Sequence, residues 1–383
     1  MLLYVQFQKY SDNLFMNIKN FIKFKSLFPK TENQCLFCKN VKLPREDEND
    51  ITPKSEVKVC KIPFEWMEFQ PEGNVNPCSL GFLKSEKPAG NIMKQDVCDV
   101  WNGDVYKELR QKVLKGDYSL CKTDNCYIYD YCSPDEIPSD YEKGPKVLML
   151  CYDCECNYKC ITCRDAIKLN TPEQTELYDN VYLPQIIKIA ENVNFVTLSC
   201  VGEPLFSKHS KRLMSELVKK YPHIRFMLST NGFYMDEKTL TETGILDNIY
   251  GVSVSINAAK SDTYKKIFRV DGFDRVINNV EMMYNLKQQG KIEFINLNFV
   301  VHSINYKEMT AFAELARHFD AKAIFTAYKP WTSAELHKNY DEVAVFEPSH
   351  KNYKDFVEIM QNPVFKDEEY CKLGPILHEL VYS

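Results

Sequence analysis

The chain has 383 residues, of which 44% are apolar and 26% charged, and its formal net charge is −5. This composition is typical of a globular protein with room for more than one domain. The acidic balance excludes an overall basic face for nucleic acid, and no apolar run approaches the roughly 20 residues of a membrane span. The first residues lack the basic and apolar regions of a signal peptide, so we expect a cytoplasmic protein.

Four zones follow one another along the chain. Residues 1–55 form an N-terminal extension, and residues 56–142 are rich in cysteine, turn residues and aromatics. Residues 143–330 alternate β-rich runs with helical stretches, and residues 331–383 form a mixed C-terminal extension.

The third zone predicts an α/β fold. Its strands are predicted at Lys146–Tyr152, Asn194–Cys200, Ile224–Thr230, Ile249–Ile256, Ile292–Val301 and Ala321–Ala327. Helices are predicted at Glu173–Val193, Ser207–Tyr221, Lys238–Leu246, Phe273–Gln289 and Tyr306–Phe319, with a further helix at Tyr353–Gln361. A helix in every gap implies a parallel sheet with right-handed crossovers. We expect a partial (β/α)6 TIM-like barrel, whose active site lies at the carboxyl ends of the strands.

The cysteines are concentrated in the first half of the chain. Of fifteen, thirteen lie between residues 35 and 163. In a reducing compartment, clustered cysteines indicate metal ligands rather than disulfides.

Three cysteines follow the first predicted barrel strand with the spacing C-x3-C-x2-C. They are Cys156, Cys160 and Cys163. Three thiolates on a cubic iron–sulfur cluster leave one iron without a protein ligand. A zinc site is the alternative, but zinc prefers four protein ligands, usually as two separated C-x2-C pairs.

The triplet and the motifs after the next strands resemble the radical S-adenosylmethionine (SAM) superfamily over about residues 145–330. Gly202-Glu203-Pro204 is similar to that family's Gly-Gly-Glu-Pro motif, with Val201 in place of the first glycine. The resemblance implies that the Glu203 carboxylate and nearby carbonyls accept hydrogen bonds from the amino group of SAM.

Three later segments complete the resemblance. Ser229 and Asn231 lie in a Ser-Thr-Asn-Gly segment similar to one that lines the nucleotide site. Ser253 and Ser255 lie in Ser-Val-Ser-Ile-Asn, where relatives often have Ser-Ile-Asp-Gly, and the resemblance implies that Ser255 contributes to the SAM site. Asn257 departs from the family pattern there. Arg269 lies where relatives place an arginine near the SAM carboxylate.

The resemblance also implies a reaction. A reduced [4Fe-4S] cluster cleaves SAM to a 5′-deoxyadenosyl radical, which abstracts hydrogen from a substrate C–H bond. Such enzymes draw electrons from a donor such as flavodoxin or ferredoxin.

An earlier cysteine field resembles the SPASM domain, an auxiliary iron–sulfur module of radical SAM enzymes. Cys60 and Cys78 flank Gly73 with the spacing C-x12-G-x4-C, and a hairpin turning at Gly73 would bring them together. With Cys121 and Cys126 they make the expected ligand set for at least one auxiliary [4Fe-4S] cluster. Here the module precedes the barrel instead of following it, C-x4-C replaces the usual C-x2-C, and zinc is the alternative metal.

Several residues stay unassigned. Cys132 is a substitute for one of the later ligands, and Cys35, Cys38 and Cys371 are either free or part of another site. If the reaction returns a hydrogen atom to the substrate, the candidate donors are Cys154, Cys200 and Cys371.

Two questions of function stay open. With four available cysteines we expect the auxiliary cluster to accept an electron, and the substrate is either a peptide or a carbohydrate or other polyol. Tyrosines that could stack on a sugar are Tyr127, Tyr129, Tyr131 and Tyr328. A different class of hypothesis is a non-catalytic iron–sulfur or zinc-binding redox or regulatory protein.

Overall fold

The computed structural model describes residues 59–78, 82–85, 87–122, 126, 131–198, 201–330 and 339–382, without the side chain of residue 131. The predictions for the N-terminal extension, for Cys35, Cys38 and Cys200 and for the side chains of Tyr127, Tyr129 and Tyr131 lie outside these residues.

A ten-stranded sheet organises the described part of the chain. The strands are β1 (Val59–Cys60), β2 (Trp66–Phe69), β3 (Asn74–Asn76), β4 (Gly90–Asn91), β5 (Tyr131–Cys132), β6 (Val147–Leu150), β7 (Phe195–Leu198), β8 (Arg225–Thr230), β9 (Ile249–Ser255), β10 (Phe294–Val301), β11 (Lys322–Ala327) and β12 (Cys371–Leu373).

The order of the strands in the large sheet is β12-β11-β10-β9-β8-β7-β6-β2-β3-β4. Neighbours from β12 to β2 in this order are parallel, whereas β3 pairs antiparallel with β2 and β4. A separate antiparallel pair joins β1 and β5.

Helices join consecutive strands from β6 to β11, so the predicted parallel α/β fold is confirmed. The α-helices are α1 (Ile62–Glu65), α2 (Val97–Trp101), α3 (Asp104–Leu114), α4 (Pro172–Leu177), α5 (Leu183–Ile189), α6 (Lys208–Lys220), α7 (Glu237–Thr243), α8 (Ser261–Phe268), α9 (Phe273–Gln288), α10 (Met309–His318), α11 (Tyr340–Val343), α12 (Tyr353–Met360) and α13 (Pro375–Tyr382), with a π-helical stretch at Tyr178–Tyr182 between α4 and α5. No helix among the described residues combines the length and apolarity needed to cross a bilayer.

The strands are apolar on both faces because the sheet is covered on both sides. All four residues of β6 are buried, with Leu148 and Leu150 in the large core between sheet and helices. Val147 and Met149 belong to a second cluster with Trp66. Because successive strand residues point to opposite faces, this second cluster marks the face of the sheet away from the helices.

The cysteine-rich segment is joined to the barrel strands through β2. Trp66 pairs with Val147 and Phe69 with Leu150, so one sheet crosses the boundary placed between residues 142 and 143. The boundary itself stays a prediction. After β2 the chain turns at Pro71–Gly73, and the backbone N–H of Gly73 donates to the Tyr182 hydroxyl, which donates to the Gln70 carbonyl at 2.8 Å. The expected hairpin at Gly73 is therefore present, and a tyrosine before α5 holds it.

Candidate active site at the carboxyl ends of the strands

The loop after β6 gathers the three cysteines of the C-x3-C-x2-C motif. The backbone N–H groups of Cys163 and Arg164 both donate to the Cys160 carbonyl at 3.0 Å. The backbone N–H of Cys156 donates to the Lys168 carbonyl at 2.8 Å. These turns bring the thiols together, with Cys156 buried and the other two half-buried.

Arg164 ties this loop together, and the sequence pattern gave no signal for it. Its Nε donates to Cys163 Sγ at 3.2 Å, Nη1 donates to the Cys154 carbonyl at 3.0 Å, and Nη2 donates to the Val201 carbonyl. One planar guanidinium therefore positions a thiol and joins the loop after β6 to the loop after β7.

The thiols affect one another electrostatically, as expected of groups that share a site. Burial raises the pKa of Cys156 to about 12, and the Arg164 guanidinium partly offsets the rise. Burial also raises the pKa of Cys160, and the neighbouring Cys163 and Cys156 raise it further. Metal binding requires thiolates, so iron would replace these protons. Three convergent thiols beside a guanidinium fit a [4Fe-4S] cluster with one open iron.

Gly202 lets two loops approach more closely than any side chain would allow. A Cβ atom built at Gly202 would lie 2.3 Å from the Asp153 carbonyl oxygen and 2.7 Å from that of Glu155. The next residue fixes the same contact, because the Glu203 N–H donates to the Glu155 carbonyl at 2.7 Å. The loop after β7 therefore packs directly on the chain leading into Cys156.

The Glu203 carboxylate is buried and joins the ends of β7 and β8. One oxygen accepts from the Thr230 hydroxyl at 2.7 Å and the Leu205 N–H at 3.2 Å, and the other accepts from the Asn231 N–H at 2.6 Å. Burial raises the pKa of Glu203 to about 7, although these hydrogen bonds act in the opposite direction. The structure thus gives Glu203 a positioning role; its predicted contact with the SAM amino group stays a prediction.

Two asparagines link strand ends to their neighbours. Asn231 Nδ2 donates to Asn157 Oδ1 at 2.9 Å, which connects the end of β8 to the cysteine loop. Asn257, the departure from the family pattern, has a φ of 55° and accepts at Oδ1 from the Val300 N–H at 2.7 Å. Asparagine tolerates this left-handed conformation better than most residues. The departure therefore positions the end of β10.

The remaining predicted SAM contacts lie around the same edge. Ser229 pairs with Ser253 across β8 and β9, and half-buried Ser255 pairs with Asn298 of β10. Arg269 is the left-handed C-cap of α8, with a φ of 58°. The structure brings the serines to the edge that carries the cysteine loop and places Arg269 just after α8; their contacts with SAM stay predictions.

The second set of cysteines also converges. Burial raises the pKa of Cys78 well above its usual range, and Cys126, Cys60 and Cys121 raise it further. Cys132 lies opposite Val59 in the β1–β5 pair, in a small core against which Cys60, Cys78 and Cys121 pack. The four predicted auxiliary ligands are therefore neighbours, and Cys132 lies beside them.

Buried polar atoms without partners lie next to Cys78. Glu68 of β2 pairs directly with Asn76 of β3, and the two side chains are 5% and 0% exposed. Neither Glu68 Oε2 nor the amide nitrogen and oxygen of Asn76 has a hydrogen-bond partner. Sulfide and thiolate ligands accept hydrogen bonds from an amide nitrogen, so Asn76 Nδ2 fits an auxiliary cluster held at Cys78.

No three His, Cys, Asp or Glu side chains among the described residues surround a site for one metal ion. Ligand atoms of a zinc ion lie about 2.0 to 2.3 Å from a common point. The ligands of a cluster are distributed over several irons and lie farther apart.

The chain matches two family models. Residues 154–316 match the Radical SAM superfamily, and residues 60–127 match SPASM, an iron–sulfur cluster-binding domain. The radical SAM match implies SAM and a [4Fe-4S] cluster as cofactors, and the SPASM match implies auxiliary iron–sulfur clusters.

Curated relatives are similar to this chain over about half of their own length. A GTP 3′,8-cyclase of Helicobacter pylori is 29% identical over 168 residues, which are 43% of this chain and 50% of that protein. A probable GTP 3′,8-cyclase of Saccharolobus islandicus is 30% identical over 176 residues, which are 44% of this chain and 52% of that protein. The chain thus spans about half the length of the curated relatives it matches.

Among solved structures, SuiB of Streptococcus suis bound to S-adenosylmethionine is 15% identical with a TM-score of 0.39, covering 72% of this chain and 62% of that chain. The two family models, and not this likeness of fold, identify a radical SAM enzyme whose SPASM domain precedes its radical SAM domain.

Proposed function

We propose that this enzyme cleaves SAM reductively and uses the 5′-deoxyadenosyl radical to abstract hydrogen from a C–H bond of its substrate. The observation that carries the proposal is the convergence of Cys156, Cys160 and Cys163 beside the loop that holds Gly202 and the buried Glu203. When bound, the reduced [4Fe-4S] cluster supplies the electron that breaks the carbon–sulfur bond of SAM.

The chain's own residues hold and orient the reactants. The three thiolates bind the cluster, and Arg164 fixes Cys163 and the neighbouring carbonyls of Cys154 and Val201. The polar groups along the carboxyl edge of β7 to β9 bind SAM. These groups are Gly202, Glu203, Ser229, Asn231 and Ser255, with Arg269 proposed at the SAM carboxylate.

Cys60, Cys78, Cys121 and Cys126 would hold the auxiliary cluster, which would supply an acceptor for the electron left on a substrate radical. Four thiols leave no iron open for a substrate, which favours an electron acceptor over a substrate anchor. The net reaction is then an oxidation or crosslink, whereas an epimerisation would instead need a hydrogen-atom donor. The structure describes two of the three candidate donors. Cys371 is buried on the edge strand β12, and the Cys154 thiol donates to the Tyr152 carbonyl at 3.6 Å.

We propose a peptide or a carbohydrate or other polyol as the substrate, and an electron donor such as flavodoxin or ferredoxin as the reductant. The curated relatives are named for their action on GTP, but the match covers less than half of this chain. The proposed SAM cleavage is supported by the radical SAM match over residues 154–316 and not by these names. Iron–sulfur chemistry and reduced thiols favour the cytoplasm.

Anaerobic reduction of the reconstituted protein with SAM tests the proposal. We expect 5′-deoxyadenosine from the wild-type protein and none after Cys156, Cys160 and Cys163 are all replaced by alanine. A wild-type protein with full iron content that yields no 5′-deoxyadenosine would support a non-catalytic iron–sulfur protein instead.

A further inference from the structure

Two buried polar side chains at the carboxyl edge of the sheet have no role in the proposed SAM and cluster sites. His302 directly follows β10 and is 0% exposed, and Tyr328 directly follows β11 and is 1% exposed. His302 Nε2 and the Tyr328 hydroxyl both lack a hydrogen-bond partner.

The two residues are neighbours on the edge that carries the cysteine loop. Val301 pairs with Ala327, and the Tyr328 N–H donates to the Val301 carbonyl at 3.0 Å, which extends the parallel ladder by one residue. Neighbouring strands lie about 4.8 Å apart. The proposed SAM residues occupy the ends of β6 to β9, so the ends of β10 and β11 are the adjoining arc of the same edge.

The hydrogen bonds of His302 define the chemistry that it offers. Its Nδ1 accepts from the Ile304 N–H at 3.3 Å, so in the neutral ring the proton is on Nε2. Burial alone lowers the pKa of His302 to about 3, so the ring is neutral at physiological pH. Nε2–H is therefore a hydrogen-bond donor without an acceptor.

Unpaired polar groups of this kind are costly. More than about 90% of the buried polar groups in native proteins have a hydrogen-bond partner. A buried donor or acceptor that lacks a partner destabilises the folded state. Other tyrosines of this region have partners: Tyr306 donates to Asp355 at 2.6 Å, and Tyr340 donates to Glu347 at 3.2 Å. Tyr328 is different, although its ring lies 6.4 Å from that of Tyr340.

We propose that His302 and Tyr328 bind a neutral oxygen of the substrate, a hydroxyl or a carbonyl, at the arc next to the SAM site. The proposal rests on the function proposed above. The N–H of His302 donates to that oxygen, while the phenol donates to it or accepts from it. Both groups are neutral, so a buried phosphate or carboxylate would lack the countercharge that it needs there.

The first test is the sign of a stability change. Tyr328→Phe removes the unpaired hydroxyl, and His302→Asn keeps an acceptor near the Nδ1 position while it removes Nε2–H. We expect the melting temperature of the reconstituted, substrate-free protein to rise by about 2 °C in each variant. The control Tyr340→Phe loses a made hydrogen bond, so its melting temperature should fall. A fall in Tyr328→Phe and His302→Asn would mean that these atoms are structural and would overturn the proposal.

The second test identifies the ligand class by calorimetric titration with three probes at millimolar concentration. N-acetylserine amide represents a peptide, myo-inositol represents a polyol, and inorganic phosphate represents an anion. We expect one neutral probe to bind the wild-type protein, with at least tenfold weaker binding to both variants. Binding of phosphate alone, of none of the probes, or equally to variants and wild type would overturn the assignment.

These tests separate the two proposals. Neither the melting nor the titration experiment requires SAM cleavage. A wild-type protein that forms no 5′-deoxyadenosine would refute the proposed function, and the change in melting temperature would still test the roles of His302 and Tyr328. Active enzyme with destabilised variants would refute only the pair.

Discussion

At the scale of single residues, the site depends on backbone atoms that approach each other closely. The carbonyl oxygens of Asp153 and Glu155 occupy the space that a side chain at position 202 would need. Glycine is required there for space and not for a left-handed backbone, since Gly202 is not among the glycines of positive φ.

Gly202→Ala should therefore destabilise the protein by about 3 kcal/mol or more, because the added methyl group meets rigid backbone. Gly244→Ala is the matched control: its Cβ meets nothing within 4 Å, but its φ of +77° is strained for alanine. That control should cost only about 1 to 2 kcal/mol. Urea unfolding measures the free energy of unfolding of both variants. Equal losses in the two variants would contradict the prediction, because they would show that the loop after β7 moves to accommodate the methyl group.

Glu203 should make stability depend on pH. Its pKa is raised from 4.5 to about 7 by burial, so between these values the folded state binds more protons than the unfolded state. The stabilisation is present below pH 4.5 and is lost as the pH rises through 7. The loss is at most about 3 kcal/mol.

Glu203→Gln should remove this share of the pH dependence, measured as the difference in unfolding free energy between pH 5 and pH 8. Glu68 is a second carboxyl whose pKa burial raises to about 7. Glu68→Gln is the matched comparison. The double variant should lose both of these contributions and keep the opposite slope of His302, whose pKa burial lowers from 6.5 to about 3, so that its stability rises from pH 5 to about pH 6.5. Unchanged slopes in both single variants would contradict the assignment.

At the scale of secondary structure, β2 makes the cysteine-rich segment part of the barrel sheet. The Lys146 N–H donates to the Glu65 carbonyl at 2.7 Å, and the Cys151 N–H donates to the Phe69 carbonyl at 2.9 Å. The β2–β6 ladder therefore has a further backbone hydrogen bond at each end. Segments joined by a sheet ladder and a common apolar cluster should open together.

Hydrogen exchange checks this coupling. The amides of Met67 and Phe69 in β2 should be protected about as strongly as those of Leu148 and Leu150 in β6. The edge strand β4 serves as the internal control and should exchange faster. Exchange in β2 about 100-fold faster than in β6 would instead show that the cysteine-rich segment opens by itself.

The sequence predicts the barrel strands well because each is a short run rich in β-branched, aromatic and other apolar residues between stretches of helical periodicity. It misses β12 because Cys371–Leu373 is too short to show a period, and α8 because Ser261–Phe268 lies between two motifs. The order of the motifs predicts which edge carries the site, since carboxyl ends of parallel strands meet there. The positioning roles of Arg164 and Asn257 depend on partners far along the chain, and no spacing encodes them.

At the scale of the whole molecule, the two sets of thiols are connected through one strand. Cys60, Cys78 and Cys126 pack on the apolar cluster that includes Met149 and Cys151, and the chain continues from there into the loop that carries Cys156. The two sets of thiols therefore lie at separate places that β6 and the residues after it connect. Loss of one should leave the other in place.

The Cys60→Ala, Cys78→Ala double variant should lose about four irons per chain and keep SAM cleavage in part, because the electron that breaks SAM enters at the other cluster. The Cys156→Ala, Cys160→Ala variant should lose a similar amount of iron and all 5′-deoxyadenosine. Cys98→Ala is the matched control, since Cys98 lies half-buried in α2 outside both sets, and its iron content should equal that of the wild type. Iron analysis with product quantification distinguishes the sites. Loss of both clusters in the first variant would mean that the cysteine-rich segment is needed to form the SAM site itself.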